Sequence, residues 1–166
     1  MTAGPLAPAT LDTLLALNAA HEVETSPLDR DALERLVAMA FHVGLAGDHG
    51  ADGFVIAMPA DCAYDSPNYR WFAERHARFV YIDRVIVSPR ARGRGIARAL
   101  YADLFERARA AAIPLVGCEV NVVPPNPASM AFHTGLGFAT LGHATLAGGT
   151  KTVAYLGRDP AAPDAG

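Results

Sequence analysis

The spacing of apolar residues changes from a helical to a strand period about forty residues into the chain. Leucines between positions 11 and 17 recur at three- and four-residue intervals, which predicts a first helix with Thr10 as its N-cap. A second helix is predicted from Ser26-Pro27 to about Ala38, since proline favours the first turn of a helix. Residues 39–46 and 54–59 then show the shorter period of strands, and the glycine-rich turn 47–53 joins them as a hairpin.

The second half of the chain contains the clearest strand and helix signals. After a polar loop and a short predicted helix over 70–77, the segment FVYIDRVIVS (79–88) is rich in β-branched and aromatic residues, which predicts a strand. Apolar residues at 96, 100, 104 and 108 predict a helix over 96–112, and a strand over 115–123 follows it. A short helix over 127–136 and a hairpin of strands 138–146 and 150–156 complete the pattern.

This order of elements predicts an α+β fold. Strand 79–88, helix 96–112 and strand 115–123 form a βαβ unit, whose two strands are expected to be parallel with a right-handed crossover. The flanking hairpins make the rest of the sheet antiparallel, with helices on both faces. We expect a single domain over 10–157, with flexible Pro-, Ala- and Gly-rich tails at 1–9 and 158–166.

Composition and charge restrict the partners of this domain. The chain has 166 residues and a formal net charge of −3, so no overall positive field attracts nucleic acid or an anionic membrane. The two cysteines, Cys62 and Cys118, lack metal-ligand spacing and are expected to be free thiols of a cytoplasmic protein, with Cys118 as a buried filler. We therefore expect no metal site, no nucleic-acid partner and no membrane partner.

The loop SPRARGRGIA (88–97) joins the strongest strand to the strongest helix. Unpaired N–H groups and the positive end of the helix dipole meet at such a junction, which makes it a natural anion site. Gly93 and Gly95 allow close approach of a ligand to the backbone and a positive φ. Because position 98 is arginine, the loop lacks the GxGxxG fingerprint of dinucleotide-binding folds, and it also lacks the GxxxxGK[ST] of P-loop enzymes.

Two motifs resemble those of the GNAT superfamily of N-acetyltransferases. Arg90-x-x-Gly93-x-Gly95-Ile96-Ala97 is similar to the coenzyme A pyrophosphate loop of that family. Asn126-x-x-Ser129-x-x-Phe132-His133-x-x-x-Gly137-Phe138 is similar to its C-terminal signature, in which tyrosine usually stands where this chain has His133. The resemblance covers about residues 79–142, and YIDRVIV, CEVNVVPPNPAS and FHTGLGF look like a bacterial subgroup of predicted acetyltransferases.

The resemblance implies where coenzyme A binds. The sheet would open into a V between its two parallel strands, and the thioester would lie in that opening. The pantetheine arm would pair with the backbone of Val85, Ile86 and Val87, and the pyrophosphate would lie on the N–H groups of 92–97. The full implied set is Val85, Ile86, Val87, Arg90, Arg92, Gly93, Arg94, Gly95, Ile96, Ala97, Asn126 and Ser129.

Two carboxylates are candidates for the base that deprotonates the acceptor amine. Asp83 shares a strand face with Tyr81, Val85 and Val87 by period two, which would place adjacent Arg84 on the opposite face. Glu119 interrupts an apolar strand, where an unpartnered carboxylate is costly. A structural ion pair or hydrogen bond remains the alternative interpretation for each, with Arg84 as a candidate partner of Glu119.

His133 and three aromatic residues are further candidates. A histidine at position 133 can donate a proton to the departing thiolate, and the alternative is an ordinary helix-surface histidine. Tyr64, Tyr69 and Trp71 lie in or beside the loop 60–71, which is expected to cover the acceptor pocket, although aromatic clusters are more often packing.

These expectations converge on an acetyl-CoA-dependent N-acetyltransferase. The resemblance implies direct attack of the primary amine of a small molecule or amino-acid-like acceptor on the acetyl thioester, in a ternary complex. The alternative is a non-catalytic acyl-CoA-binding or regulatory module on the same fold, which the change at His133 keeps open. A homodimer is a further expectation, and the sequence leaves the acceptor and the acyl chain length open.

Overall fold

A computed structural model describes residues 4–21 and 25–164 as helices packed on both faces of a six-stranded mixed sheet. The strand order is β1-β2-β3-β4-β6-β5. The helices are α1 (Pro8–Ala19), α2 (Arg30–Met39), α3 (Pro67–Ala73), α4 (Ile96–Ala110) and α5 (Pro127–Gly135). The strands are β1 (His42–Ala46), β2 (Gly53–Pro59), β3 (Val80–Val87), β4 (Val116–Val123), β5 (Ala139–Leu146) and β6 (Lys151–Arg158). The predicted α+β fold is confirmed.

The central pair of strands, β3 and β4, is parallel and separates early. Its register contains only the pairs Val80↔Val116 and Tyr81↔Gly117, while the neighbouring pairs β2–β3 and β4–β6 are antiparallel and run along almost the whole strands. Beyond Tyr81, the edge of β3 that faces β4 therefore has no strand partner. The sheet opens at this point.

Two apolar cores lie on the two faces of the sheet. On one face α1, α2 and α3 cover Phe54, Tyr81 and Tyr155. On the other face α4 and the chain after α5 cover Ile82 and Val120. Cys118 belongs to this second core and is buried, which confirms its expected role as a filler. The opening between β3 and β4 thus has an apolar core on each face of the sheet beside it.

Helix α1 begins at Pro8, directly after Ala7, so the prediction of Thr10 as its N-cap is wrong. Two further helices begin at other residues than the sequence pattern predicts. Helix α2 begins at Arg30, where the Asp29 side chain accepts a hydrogen bond from the Ala32 N–H at 2.8 Å, and not at Ser26-Pro27. Helix α3 begins at Pro67 with Ser66 as its N-cap, three residues before the predicted start. The reason is the same in both cases, because a serine or aspartate with a favourable N-cap geometry competes with neighbouring turn signals.

A β-bulge in β3 reverses one prediction about side-chain direction. On β2, Ile56 pairs with Arg84 and the next residue, Ala57, pairs with Ile82, so Asp83 has no opposite residue. An extra residue of this kind breaks the period-two alternation. Asp83 and Arg84 consequently lie side by side, with Arg84 Nε donating to Asp83 Oδ2 at 2.9 Å. The expectation that Arg84 points away from Asp83 is wrong for this reason.

The ordered elements extend slightly beyond 10–157. Helix α1 begins at Pro8 and β6 ends at Arg158, whose buried guanidinium donates to the Leu136 carbonyl at 2.7 Å and lies over the Phe105 ring. The same guanidinium donates to the Ala162 carbonyl, which holds the following segment against the domain. Residues 1–3 and 165–166 of the expected tails lie outside the described residues. Within the described part of the chain, no helix is long and apolar enough to cross a membrane.

Candidate active site

A cavity of about 200 Å³ fills the opening between β3 and β4. Side chains from both strands and from α4 and α5 line it. Six of the residues that the sequence nominated are among them, namely Asp83, Val85, Glu119, Asn126, Ser129 and His133. The structure therefore brings both candidate bases and the candidate acid to one place, although they come from separate elements.

A second cavity, of about 320 Å³, adjoins the first on the side of α3. The two share Asp83, Glu119 and four further residues, and the second adds Tyr64, Asn68 and Tyr81. Glu119 and Asp83 thus stand between a compartment toward α4 and α5 and a compartment toward α3. Such a division offers room for two reactants, one on each side of the carboxylates.

Among the residues that the structure describes, the side chain of Glu119 accepts hydrogen bonds from neutral groups alone. Tyr81 donates its hydroxyl to Oε2 at 2.7 Å, and the Asn68 amide donates to Oε1 at 3.1 Å. Tyr155 in turn donates to the Asn68 Oδ1 at 2.8 Å, which fixes the orientation of the amide. Burial raises the pKa of Glu119 to about 7, although the Tyr81 hydrogen bond lowers it. A carboxyl group with such a pKa can exchange protons near neutral pH.

Asp83 has a different environment, because it is paired with a cation. Its side chain and that of Arg84 are both 6% exposed, and Arg84 Nε contacts Oδ2 at 2.9 Å. Tyr64 donates its hydroxyl to Oδ1. Arg84 also donates to the Asn18 Oδ1 at 2.7 Å and to the Ser26 Oγ at 3.1 Å. The alternative interpretation of Glu119, an ion pair with Arg84, is wrong, since the bulge directs the guanidinium to Asp83 instead.

His133 is buried, and both of its ring nitrogens are occupied. Nδ1 lies 2.7 Å from the Ser129 carbonyl oxygen, which can only accept, so Nδ1 carries the proton of the neutral ring. Nε2 then accepts from the Tyr101 hydroxyl at 2.7 Å. Burial lowers the pKa of His133, and the Ser129 carbonyl opposes this shift. Tyr101 also lines the first cavity, so its hydroxyl connects His133 with that space.

The glycine loop has the geometry of an anion site. Gly93 and Gly95 have φ values of 76° and 75°, and a Cβ added at either would meet no heavy atom within 4 Å. The first helical bond of α4 runs from the Ala99 N–H to the Gly95 carbonyl, so the N–H groups of 96–98 remain available at its N-terminus. The Arg92 N–H, by contrast, makes a long contact of 3.4 Å to the Pro89 carbonyl.

Two of the loop arginines face an aspartate of the protein itself. Arg90 and Arg94 lie 3.6 Å and 3.8 Å from the two carboxylate oxygens of Asp52, in the turn between β1 and β2. Both arginine side chains are mostly exposed. The open space beside the glycines and the free backbone donors fit a pyrophosphate, with the arginines supplying charge at the rim.

Asn126 and Ser129 have local structural contacts at the start of α5. The Asn126 side chain accepts from the Ser129 N–H at 3.2 Å and is the N-cap of the helix. Val85, Ile86 and Val87 lie on β3 after it has separated from β4, so one edge of their backbone faces the opening. Since an extended chain can pair with such an edge, this segment fits the arm of a long ligand.

The three aromatic candidates have different positions. Tyr64 lines the second cavity and contacts Asp83. Tyr69 is 3% exposed and donates to the Pro59 carbonyl at 2.8 Å, so it packs within the core. Trp71 stacks on Tyr155 with ring centroids 4.3 Å apart. Only Tyr64 of the three reaches the cavity.

The sequence pattern did not nominate three residues that line the two cavities. Tyr101 falls on the apolar face of α4, so the pattern marks it only as a core residue. Asn68 lies in a polar stretch without any motif, and Lys151 begins the last strand. Glu119 was nominated because it is a polar residue in an apolar strand. These three residues give no such signal, because only the packing of their helices and strands brings them to the site.

Known acetyltransferases resemble this chain both by sequence profile and by fold. Residues 28–138 match the sequence profile of the acetyltransferase (GNAT) family. The solved structure of the ribosomal-protein-alanine N-acetyltransferase from Brucella melitensis is 26% identical with a TM-score of 0.68, over 94% of this chain and 98% of that one. No curated protein sequence matches significantly.

Two further structures resemble the chain in fold. The ribosomal-protein-S18-alanine N-acetyltransferase from Escherichia coli is 14% identical with a TM-score of 0.67, over 96% of this chain and 94% of that one. NAA60 from Arabidopsis thaliana, solved in complex with acetyl-CoA, is 16% identical with a TM-score of 0.69, over 94% of this chain and 97% of that one.

Proposed function

The chain belongs to the GNAT acetyltransferase family, and from that premise we propose that it is an acetyl-CoA-dependent N-acetyltransferase. The acceptor is the primary amine of a small molecule or an amino-acid-like compound, which attacks the thioester directly. The observation that carries this proposal is the pair of cavities at the opening of the sheet, with Glu119 of β4 between them and the glycine loop directly after β3.

The residues of the opening and of the glycine loop would hold acetyl-CoA. The N–H groups at Gly93–Ala97 receive the pyrophosphate, the free edge of Val85–Val87 pairs with the arm, and Asn126 and Ser129 line the entrance. When bound, acetyl-CoA supplies an activated acetyl group. Because the backbone supplies most of the donors, the arginines are secondary in this assignment.

Glu119 is the base in this proposal. An ammonium must lose a proton before its nitrogen can attack, and a carboxylate with a pKa of about 7 takes up that proton near neutral pH. Asp83 is less suited, because Arg84 occupies its Oδ2 and the Tyr64 hydroxyl occupies its Oδ1. Asp83 and Tyr64 then line the second cavity, where the acceptor amine would bind.

The departing sulfur receives its proton on the opposite side, at Tyr101 and His133. Tyr101 offers the hydroxyl that connects His133 with the first cavity, and the Ser129 carbonyl fixes the histidine ring behind it. This relay uses the minor form of His133 that carries a second proton at Nε2, since burial lowers the pKa of the ring. Nε2–H donates its proton to the Tyr101 oxygen while the Tyr101 hydrogen passes to sulfur, so both residues end neutral. His133 thus acts through Tyr101 in this assignment.

A second acceptor class is the N-terminal amine of a protein. It is favoured by the likeness to the ribosomal-protein-alanine N-acetyltransferase from Brucella melitensis, which covers nearly the whole of both chains. The two classes share the reaction and differ only in what surrounds the amine.

The experiment is a turnover assay over a panel of acceptors. Purified protein and acetyl-CoA are incubated with primary amines, L-amino acids and short peptides, and both CoA release and acetylated product are measured. Stoichiometric release and product formation for at least one acceptor support the enzyme. Tight acetyl-CoA binding without product from any acceptor class would favour the non-catalytic binding module instead.

A further inference from the structure

Lys151 is the single lysine of the chain, and it lies at the proposed active site. It is the first residue of β6, is half-buried, and lines both the cavity toward α5 and the cavity toward α3. Across residues 4–21 and 25–164, no ion pair or side-chain hydrogen bond involves its ammonium group. A cation in this position is therefore free to bind a ligand.

The other cation of the second cavity is not free. Arg84 donates to Asp83, Asn18 and Ser26, at distances between 2.7 Å and 3.1 Å for the shortest bond to each. Its guanidinium is thus used to hold the protein together. Of the two positive charges that line this cavity, Lys151 is the one with donors to spare.

Lys151 acts on Glu119 without contacting it. Its positive charge lowers the pKa of Glu119, although no ion pair joins the two groups. The ammonium and the carboxyl group therefore face the same space at a distance. A molecule that carries an amine at one end and an anion at the other fits between them with opposite charges in contact at both ends.

We propose that Lys151 binds the carboxylate of the acceptor, an inference that rests on the proposed function. The acceptor is then a small amino acid with a free carboxyl group, its amine at Glu119 and its carboxylate at Lys151. The cavity of about 320 Å³ fits a molecule of this size. The N-terminus of a peptide lacks this carboxylate, because the group is an amide there.

The test compares each amino acid with its own amide. Wild type, Lys151→Met and Lys151→Arg are assayed with the standard L-amino acids and with the corresponding amino-acid amides. We expect wild type to prefer the acid, and Lys151→Met to raise KM for the acid roughly 10- to 100-fold, since a charge-assisted hydrogen bond is lost. KM for the amide should change less than about twofold, provided that the assays are run well above pH 7, where Glu119 is deprotonated with or without the charge of Lys151. Lys151→Arg should retain most of the preference for the acid.

Two controls separate this role from others. Arg109→Met removes a positive charge from the exposed face of α4, where Arg109 pairs with Glu106 at 2.6 Å, and it should leave both acceptors unaffected. KM for acetyl-CoA should be the same in Lys151→Met and wild type. Thermal unfolding of each variant shows whether it is folded.

Several results would overturn the inference. One is an equal rise of KM for acid and amide in Lys151→Met, and another is no rise for either. A third is a rise of KM for acetyl-CoA alone, which would make Lys151 a cofactor ligand. Wild type that acetylates amides, other amines or peptides but no amino acid would overturn it while the proposed function stands. Wild type that acetylates no amine would overturn the proposed function, and this inference with it.

Discussion

At the scale of single residues, the two candidate bases differ in the partner that each carboxyl group has found. Glu119 accepts from the neutral groups Tyr81 and Asn68, whereas Asp83 contacts the guanidinium of Arg84. Burial raises the pKa of Glu119, whereas both oxygens of Asp83 are engaged by Arg84 and Tyr64. Two carboxylates of one cavity are thereby suited to different tasks.

Glu119→Gln should remove most of the activity. We expect kcat/KM to fall roughly 100- to 10,000-fold, because the variant lacks the proposed general base. In wild type, kcat/KM should rise with pH through about 7, because only the deprotonated carboxylate accepts the proton. The measurement is the pH profile of kcat/KM for both proteins, and a variant that retains wild-type activity would contradict the assignment.

Glu119→Gln should lower activity, but its effect on thermal stability should become more favourable as pH rises. Because the pKa of Glu119 is raised in the folded state, its contribution is present below the pKa of the unfolded chain and is lost as pH rises through about 7. Glu119→Gln should therefore gain in Tm relative to wild type as the buffer goes from acidic to mildly alkaline. Asp83→Asn serves as the comparison, since it breaks an ion pair and should lose stability.

At the scale of elements, Arg84 joins the bulge of β3 to the helices on one face of the sheet. Its guanidinium reaches Asn18 in α1, which is fully buried, and Ser26 in the chain between α1 and α2. The bulge makes this contact feasible, since it turns Arg84 toward these helices beside Asp83. The wall of the second cavity thus depends on one side chain.

Arg84→Met should destabilise the protein by about 3–5 kcal/mol, because it leaves the Asp83 carboxylate buried without its cation. The measurement is the free energy of unfolding in urea. The double variant Arg84→Met/Asp83→Asn should recover part of that loss, since it removes the unpaired charge as well. If the double variant instead loses as much free energy of unfolding as the two single variants together, the two side chains are not coupled.

At the scale of the whole molecule, the sheet consists of two halves with little between them. Strands β1, β2 and β3 form one half and β4, β6 and β5 the other, and only two residue pairs join β3 to β4. A ligand that lies in the opening and touches both halves replaces the missing strand contacts. Ligand binding is therefore expected to stabilise the fold as a whole.

Acetyl-CoA at about 100 times its Kd should raise the free energy of unfolding by about 2.7 kcal/mol. For a chain of this length, that corresponds to a rise in Tm of roughly 5–10 °C. Gly93→Asp should abolish this rise, because it places a side chain and a negative charge at the proposed pyrophosphate site. The measurement is thermal unfolding with and without acetyl-CoA.

Gly148→Asp is the matched control for this experiment. Gly148 also has a positive φ, 66°, and open space around its Cβ position, but it lies in the turn between β5 and β6. Both substitutions should cost the free protein about 1 kcal/mol through the backbone. Only Gly93→Asp should lose the response to acetyl-CoA, and loss in both variants would show that the effect is on stability rather than on binding.

The sequence by itself determined the elements, the parallel pair of strands and the glycine loop. These features depend on short-range properties, namely the period of apolar residues, the freedom of Gly93 and Gly95, and the proline that follows β3. It also nominated Glu119, because a carboxyl group in an apolar strand is visible without the fold.

Only the tertiary structure decided which groups meet. The bulge at Asp83 depends on the register with β2, so the pairing with Arg84 was hidden from a period-two pattern. Tyr101 and His133 meet because α4 and α5 pack on the same face, and Lys151 reaches the cavity because β6 pairs with β4. Burial, pKa and the choice of hydrogen-bond partner arise from contacts between residues far apart in the chain, and local sequence carries no signal for them.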